Sequence, residues 1–98
     1  MSVPDILKNL RIPVIGAPLF IISNPKMVIE QCKAGVVGSF PALNARPANV
    51  LHEWLDEISD TLGDYNSKNT DAPAAPFAVN QIVHKSNDRL MHDVEACV

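Results

Sequence analysis

The sequence predicts an α/β fold in which strands and helices alternate within one domain, residues 1–98. Three short apolar runs, at residues 13–16, 36–40 and 77–83, are too brief to be helices. After each run, apolar residues recur at the three- and four-residue steps of a helix. Alternation of this kind builds a parallel sheet through right-handed crossovers. With 98 residues, 47% of them hydrophobic, the chain can bury one modest core.

The first strand, residues 13–16, runs into an unusually apolar loop. The stretch "PVIGAPLFIIS" breaks at residues 16–18 and then continues as Leu-Phe-Ile-Ile, where a polar loop would be expected. The next segment has clear helix signals: Asn24 can cap, Pro25 fits the first position, and Gly35 fits a left-handed stop. Its apolar face combines Val28, Ile29 and Cys32.

The second unit pairs the strand "VVGSF" with a longer helix that Pro47 should begin and Gly63 should end. Residues 64–76 are then expected to form a long surface connection. The acidic side chains of this helix fit a solvated outer face better than a pair of catalytic carboxylates. Its apolar positions are Val50, Leu51, Trp54, Leu55, Ile58 and Leu62, and its acidic ones are Asp56, Glu57 and Asp60.

The third unit begins with "FAVNQIV", a strand over residues 77–83 that Asn80 interrupts. A helix should follow, with Ser86 or Asn87 as its cap. A phosphate at this helix start is a weaker interpretation than ordinary capping. The apolar stripe of the helix would consist of Leu90, Met91, Val94, Cys97 and Val98.

Three parallel strands would form a narrow sheet with two open edges and would leave the last helix uncovered on one face. We therefore expect an incomplete architecture. A closed eight-unit barrel needs about 250 residues, so three units are somewhat more than a third of one.

Composition disfavours several other classes of protein. The net charge of −3 and the pI near 5.4 give no basic footprint for nucleic acid. Cys32 and Cys97 lie far apart and outside any metal-ligand spacing, so both are expected to be small core residues in a reducing compartment. Residues 1–11 do not fit a signal peptide, and no apolar run reaches the roughly 20 residues that span a bilayer. A soluble cytoplasmic protein is expected, with no metal, nucleic-acid or membrane partner.

Three stretches, "LRIPVIGAPL", "KAGVVGSFPALNARP" and "FAVNQIVHKSNDRL", resemble the amino-terminal portion of the nitronate monooxygenase family, also called the 2-nitropropane dioxygenase family. The resemblance implies the first three units of an FMN-binding (β/α)8 TIM barrel, incomplete in this chain. It also implies that the backbone of Ala17, Pro18 and Leu19 lies against the flavin and that the Asn80 side chain hydrogen-bonds it. Without the family context, Asn80 is better explained as a buried amide satisfied by neighbouring backbone.

The chain also departs from the family pattern. Some members have Gly-Gly-Met where this chain has Ala17, Pro18 and Leu19, and Pro18 cannot donate from its backbone. The family's catalytic histidine and its glycine-rich phosphate loops have no counterpart here, so no catalytic residue is assigned and the base is expected beyond Val98. His52 and His92 fit polar helix faces, and His84 could line the substrate mouth but is more simply a structural loop residue.

The resemblance implies an oxidoreductase that oxidises nitroalkane nitronates with O2, while the 98-residue chain alone should be inactive. One alternative is an NAD(P)H-dependent flavin oxidoreductase of the same barrel family. Another is a truncated, non-catalytic fragment that could associate with a complementary one. A small flavodoxin-like domain lacks support, because no phosphate-binding loop follows the first strand.

Overall fold

The computed structural model describes residue 10 and residues 12–98 of the chain. The signal-peptide argument rests mainly on residues 1–9 and 11, which lie outside the described residues. Helices and strands alternate through the described part of the chain. They are α1 (Pro25–Lys33), β1 (Gly38–Pro41), a 3-10 turn (Ala42–Asn44), α2 (Val50–Lys68), β2 (Phe77–Asn80) and α3 (Leu90–Cys97).

The sheet contains two parallel strands, β1 and β2, in register from Gly38 opposite Phe77 to Pro41 opposite Asn80. The predicted first strand is present only as a parallel bridge between Ile15 and Val37. Its pairing is short because Val14 turns its own N–H to the carbonyl of residue 12. The observed fold is thus a small mixed one with a two-stranded parallel sheet.

The core lies where α1 and α2 cover one face of the sheet. Phe40 of β1 is fully buried and meets Trp54 of α2 edge to face, with ring centroids 5.4 Å apart. Gly38 allows α1 to approach closely, since a Cβ there would lie 2.6 Å from the Val28 carbonyl oxygen. The buried cluster contains Val28, Ile29, Cys32, Phe40, Ala42, Ala45, Leu51, Ile58 and Leu62.

The predicted limits of α1 are confirmed by its contacts. The Asn24 side chain accepts a hydrogen bond from the Met27 N–H at 2.9 Å, and Pro25 occupies the first turn. Gly35 lies beyond the helix end at φ 94°, in the left-handed region. Local sequence signals therefore suffice to define this helix.

The predicted limits of α2 are wrong at both ends. The helix begins at Val50, three residues after Pro47, because residues 47–50 first form a turn with the Val50 N–H on the Pro47 carbonyl. It also passes through Gly63, where no atom would crowd an added Cβ, and ends at Lys68. The predicted surface connection therefore loses its first five residues to the helix.

The third unit differs from prediction in two places. β2 ends at Asn80, because the Ile82 carbonyl accepts from the His84 N–H and the Asn87 side chain as the chain turns away. The predicted caps are also wrong: α3 begins at Leu90 without a side-chain cap. Ser86 is engaged with His84, and Asn87 accepts from the Arg89 N–H.

Candidate functional site at the strand ends

Three parallel segments end at the same edge of the sheet. Pro41 of β1 is paired with Asn80 of β2, and the bridge segment lies on the other side of β1. Its direction is the same, since Gly16 donates its N–H to the Val37 carbonyl at 2.7 Å. In parallel α/β proteins the carboxyl ends of strands carry the binding sites, so this edge is the candidate site.

The loop that follows the bridge presents the first part of the site. Ala17, Pro18 and Leu19 are all exposed, while Ser39 behind them is buried. The Ser39 hydroxyl donates to the Gly16 carbonyl, which fastens the start of this loop to β1. Ser39 therefore has a structural role in the observed fold.

Asn80 presents the second part of the site from the end of β2. Its side chain is exposed, and among the described residues it makes no hydrogen bond. The interpretation as a buried, satisfied amide is therefore wrong. Asn80 keeps one donor group and one acceptor group available for a ligand.

The two parts of the site flank β1 and do not touch each other. Two strand spacings, roughly 10 Å, separate the loop at Ala17 from β2. A small ion could not contact both sides, but a flat ring system could. The exposed loop supplies apolar atoms and Asn80 supplies an amide, which are the two kinds of contact that an isoalloxazine ring needs. These residues therefore fit FMN, with Pro18 limited to steric contact because it has no N–H.

Sequence reasoning missed Asn44, which organises the loop after the bridge. Its side chain hydrogen-bonds three backbone groups within residues 19–23. The only sequence signal is an asparagine placed four residues after a buried strand residue, which many turns share.

Sequence reasoning also missed a buried ion pair at the start of α3. The Arg89 guanidinium lies 3.2 Å from Asp93, whose side chain is 0% exposed. The same guanidinium donates to the carbonyls of Ala42 and Ala45 just beyond β1. Asp93 occupies the inward position of a helix whose predicted apolar stripe is largely exposed, with Met91 at 70%. No apolar pattern could have revealed this pairing.

The contacts of the three histidines do not involve residues 17–19 or Asn80. His84 is exposed and engages Ser86 in a local turn, which agrees with its structural interpretation. His52 and His92 are exposed, as predicted, with ring centroids 5.7 Å apart. His92 also has a partner, since its Nδ1 lies 2.8 Å from the Asp93 carboxylate.

Both cysteines are free thiols. Cys32 is buried as predicted, but Cys97 is exposed, so its predicted place in the core is wrong. Burial raises the pKa of the Cys32 thiol, and a hydrogen bond with the backbone of Gly38 partly opposes that rise. Partial burial, followed by the charge of Asp93, raises the pKa of Cys97.

Among the described residues, no cluster of three or more metal-ligating side chains is present. No helix in that part of the chain has the length and apolar character needed to cross a membrane.

Comparisons with known proteins add no relative to this description. No protein-family model, no curated protein and no solved structure matches the chain.

Proposed function

We propose that this chain forms the first three β/α units of an FMN-dependent (β/α)8 barrel of the nitronate monooxygenase type. The observation that carries the proposal is that an exposed apolar loop, residues 17–19, and the free Asn80 amide lie at the same edge of a parallel sheet. Exposed apolar residues near that edge, such as Phe20 and Ile82, are further support, since further barrel units or a bound ring would cover them.

In the proposed site, each part of the chain has a separate task. Ala17, Pro18 and Leu19 would form an apolar wall against the flavin and exclude water from it. Asn80 would orient the ring by hydrogen bonding to one of its amide-like edges. When bound, FMN would supply the electron transfer needed to oxidise a small nitroalkane nitronate with O2. We assign no catalytic residue to this chain.

Two further features fit this proposal. Cys32 and Cys97 are both free, which fits the cytoplasm, where thiols stay reduced. The same edge would also serve an NAD(P)H-dependent flavin oxidoreductase of this barrel type, because both reactions need the same flavin wall. Substrate tests separate these two activities.

The test compares the 98-residue chain with the same chain continued in its own gene to barrel length. Bound FMN would be measured by absorbance, and nitronate-dependent O2 uptake would be measured beside NAD(P)H-dependent uptake. We expect the longer protein to retain FMN and consume O2 with nitronate, and the 98-residue chain to show no turnover. A longer protein without flavin would disprove the family assignment. Turnover by the short chain would disprove our view that it lacks essential residues.

A further inference from the structure

The turn at residues 19–23 exposes apolar side chains although its backbone is firmly held. Phe20, Ile21 and Ile22 are 57%, 74% and 60% exposed. Ile21 also lies at φ 70°, a left-handed conformation that β-branched residues rarely adopt. Backbone conformations of this kind persist where the surroundings impose them, and they cluster at functional sites. Burial of apolar surface therefore does not explain this turn.

The Asn44 side chain imposes this conformation. Its Nδ2 donates to the Leu19 carbonyl at 3.0 Å and to the Ser23 carbonyl at 2.9 Å. Its Oδ1 accepts from the Ile21 N–H at 3.0 Å. Both amide hydrogens and the oxygen are thus used on one turn, which leaves Asn44 little capacity to contact a ligand.

Ser23 closes the same turn from within. Its hydroxyl accepts from the Leu19 N–H at 2.7 Å, and its own N–H donates to the Leu19 carbonyl at 3.0 Å. Ser23 is 1% exposed, so the serine end of these bonds is buried. Polar groups face inward and apolar groups face outward, which is the reverse of an ordinary surface turn.

The backbone on both sides of Asn44 is held by hydrogen bonds from two arginine side chains. Asn44 ends the 3-10 turn that follows β1, and Arg89 donates to the Ala42 and Ala45 carbonyls on either side of it, at 3.3 Å and 2.8 Å. Arg46 adds a hydrogen bond to the Leu43 carbonyl at 2.9 Å. The position of Asn44 is therefore fixed by α3 as well as by β1.

We infer that Asn44 is a positioning residue for the flavin-binding surface. It holds the turn at residues 19–23 so that Leu19 and the apolar side chains after it stay at the strand-end edge. Asn44 controls flavin affinity through that turn and does not contact the flavin. The inference rests on the proposed function, because the ligand that it names is the flavin.

The experiment uses the barrel-length protein proposed above, with Asn44→Ala as the main variant. FMN affinity is titrated, and amide hydrogen exchange is followed at Ile21 in the turn and at Ile58 in α2. We expect the FMN Kd to rise about tenfold and exchange at Ile21 to accelerate at least about tenfold, with Ile58 unchanged. Asn49→Ala is the matched control, since Asn49 is exposed and provides no side-chain cap, and it should change neither quantity.

Ser23→Ala gives a second, independent perturbation of the turn and should act in the same direction. If Asn44→Ala also loses protection at Ile58, that variant is unfolding globally, and Ser23→Ala then decides whether the turn controls FMN affinity. An unchanged FMN Kd with fast exchange at Ile21 would overturn the inference and leave the flavin assignment intact. A wild-type protein that binds no FMN would overturn the flavin assignment and the role of Asn44 in binding together. The exchange data alone would then report whether Asn44 holds the turn.

Discussion

The helix-covered side of the sheet and the strand-end side use apolar residues in opposite ways. On the helix-covered side, Phe40 is 0% exposed and packs on Trp54. At the strand ends, Phe20 is 57% exposed and lies under the Arg46 guanidinium, 5.2 Å from its ring centroid. The first side is built by burial, and the second is built by hydrogen bonds to the backbone. The comparison indicates that the exposed apolar residues of the strand-end side contribute little to folding.

The largest expected effect is the loss of stability in Phe40→Ala, which is compared with the small loss in Phe20→Ala. Removal of the buried ring should lower the free energy of unfolding by about 4 kcal/mol, because the free energy gained by burying the ring is lost and a cavity is left in the core. Removal of the exposed ring should cost under about 1 kcal/mol, the value of an exposed cation–π contact. Urea denaturation measures both. Equal losses would show that the turn is part of the folding core.

Asp93→Ala tests the connection between the two sides. It leaves Arg89 without the carboxylate that pairs with it in a buried position, so the free energy of unfolding should fall by about 3 kcal/mol. Asp56→Ala on the exposed face of α2 is the control and should stay within about 0.5 kcal/mol of wild type. A neutral result for Asp93→Ala would mean that the Arg89–Asp93 pair makes no net contribution to stability.

Two glycines should respond to alanine with opposite signs. Gly38→Ala places a Cβ 2.6 Å from the Val28 carbonyl oxygen and should destabilise the fold by about 1–3 kcal/mol. Gly63→Ala meets no atom within 4 Å and should stabilise α2 by up to about 1 kcal/mol. Thermal unfolding of the two variants gives the signs directly. Two losses would indicate that Gly63 has a role in packing.

The smallest expected effect concerns the two thiols. A thiol reagent should modify the exposed Cys97 in the folded protein and reach the buried Cys32 only on unfolding. The reaction of Cys97 should be slower than that of a free thiol, because its pKa is raised in the folded protein. Rapid labelling of Cys32 in the folded protein would contradict its burial.

The raised pKa of Cys32 also predicts a pH dependence. The folded state keeps this thiol protonated at a pH where the unfolded chain has begun to lose the proton. Its contribution to stability is therefore complete below pH 9.0 and declines as the pH rises through the folded-state pKa. Cys32→Ala should flatten the alkaline decline in the free energy of unfolding, and an unchanged slope would contradict the shift.

The sequence predicted well where local chemistry decides the structure. The limits of α1 follow from Asn24, Pro25 and Gly35, each of which is found in its expected place. It failed where tertiary contacts overrule a local signal. Gly63 was a reasonable helix stop, yet α2 continues because its apolar face remains packed on the sheet as far as Leu62 and nothing requires a left-handed residue there.

The candidate site was predictable only in part. Alternation of strands and helices was enough to locate the carboxyl ends of the strands, and a resemblance indicated Ala17, Pro18, Leu19 and Asn80. The role of Asn44 could not be found, because it depends on contacts with residues 21 or more positions away. Arg89 and Asp93 have the i,i+4 spacing of a helical ion pair, but the apolar pattern of α3 gave no reason to expect that pair to be buried. The assignment of all four flavin-contact residues remains a prediction.

The most direct test of the central claim is a titration of FMN into the proposed barrel-length protein, with wild type beside Asn80→Ala and Asn49→Ala. Loss of one hydrogen bond to the ring, about 1 kcal/mol, should raise the Kd roughly fivefold in Asn80→Ala. Asn49→Ala should bind like wild type. Equal FMN affinity in all three proteins would contradict the assignment of the strand-end edge as a flavin site.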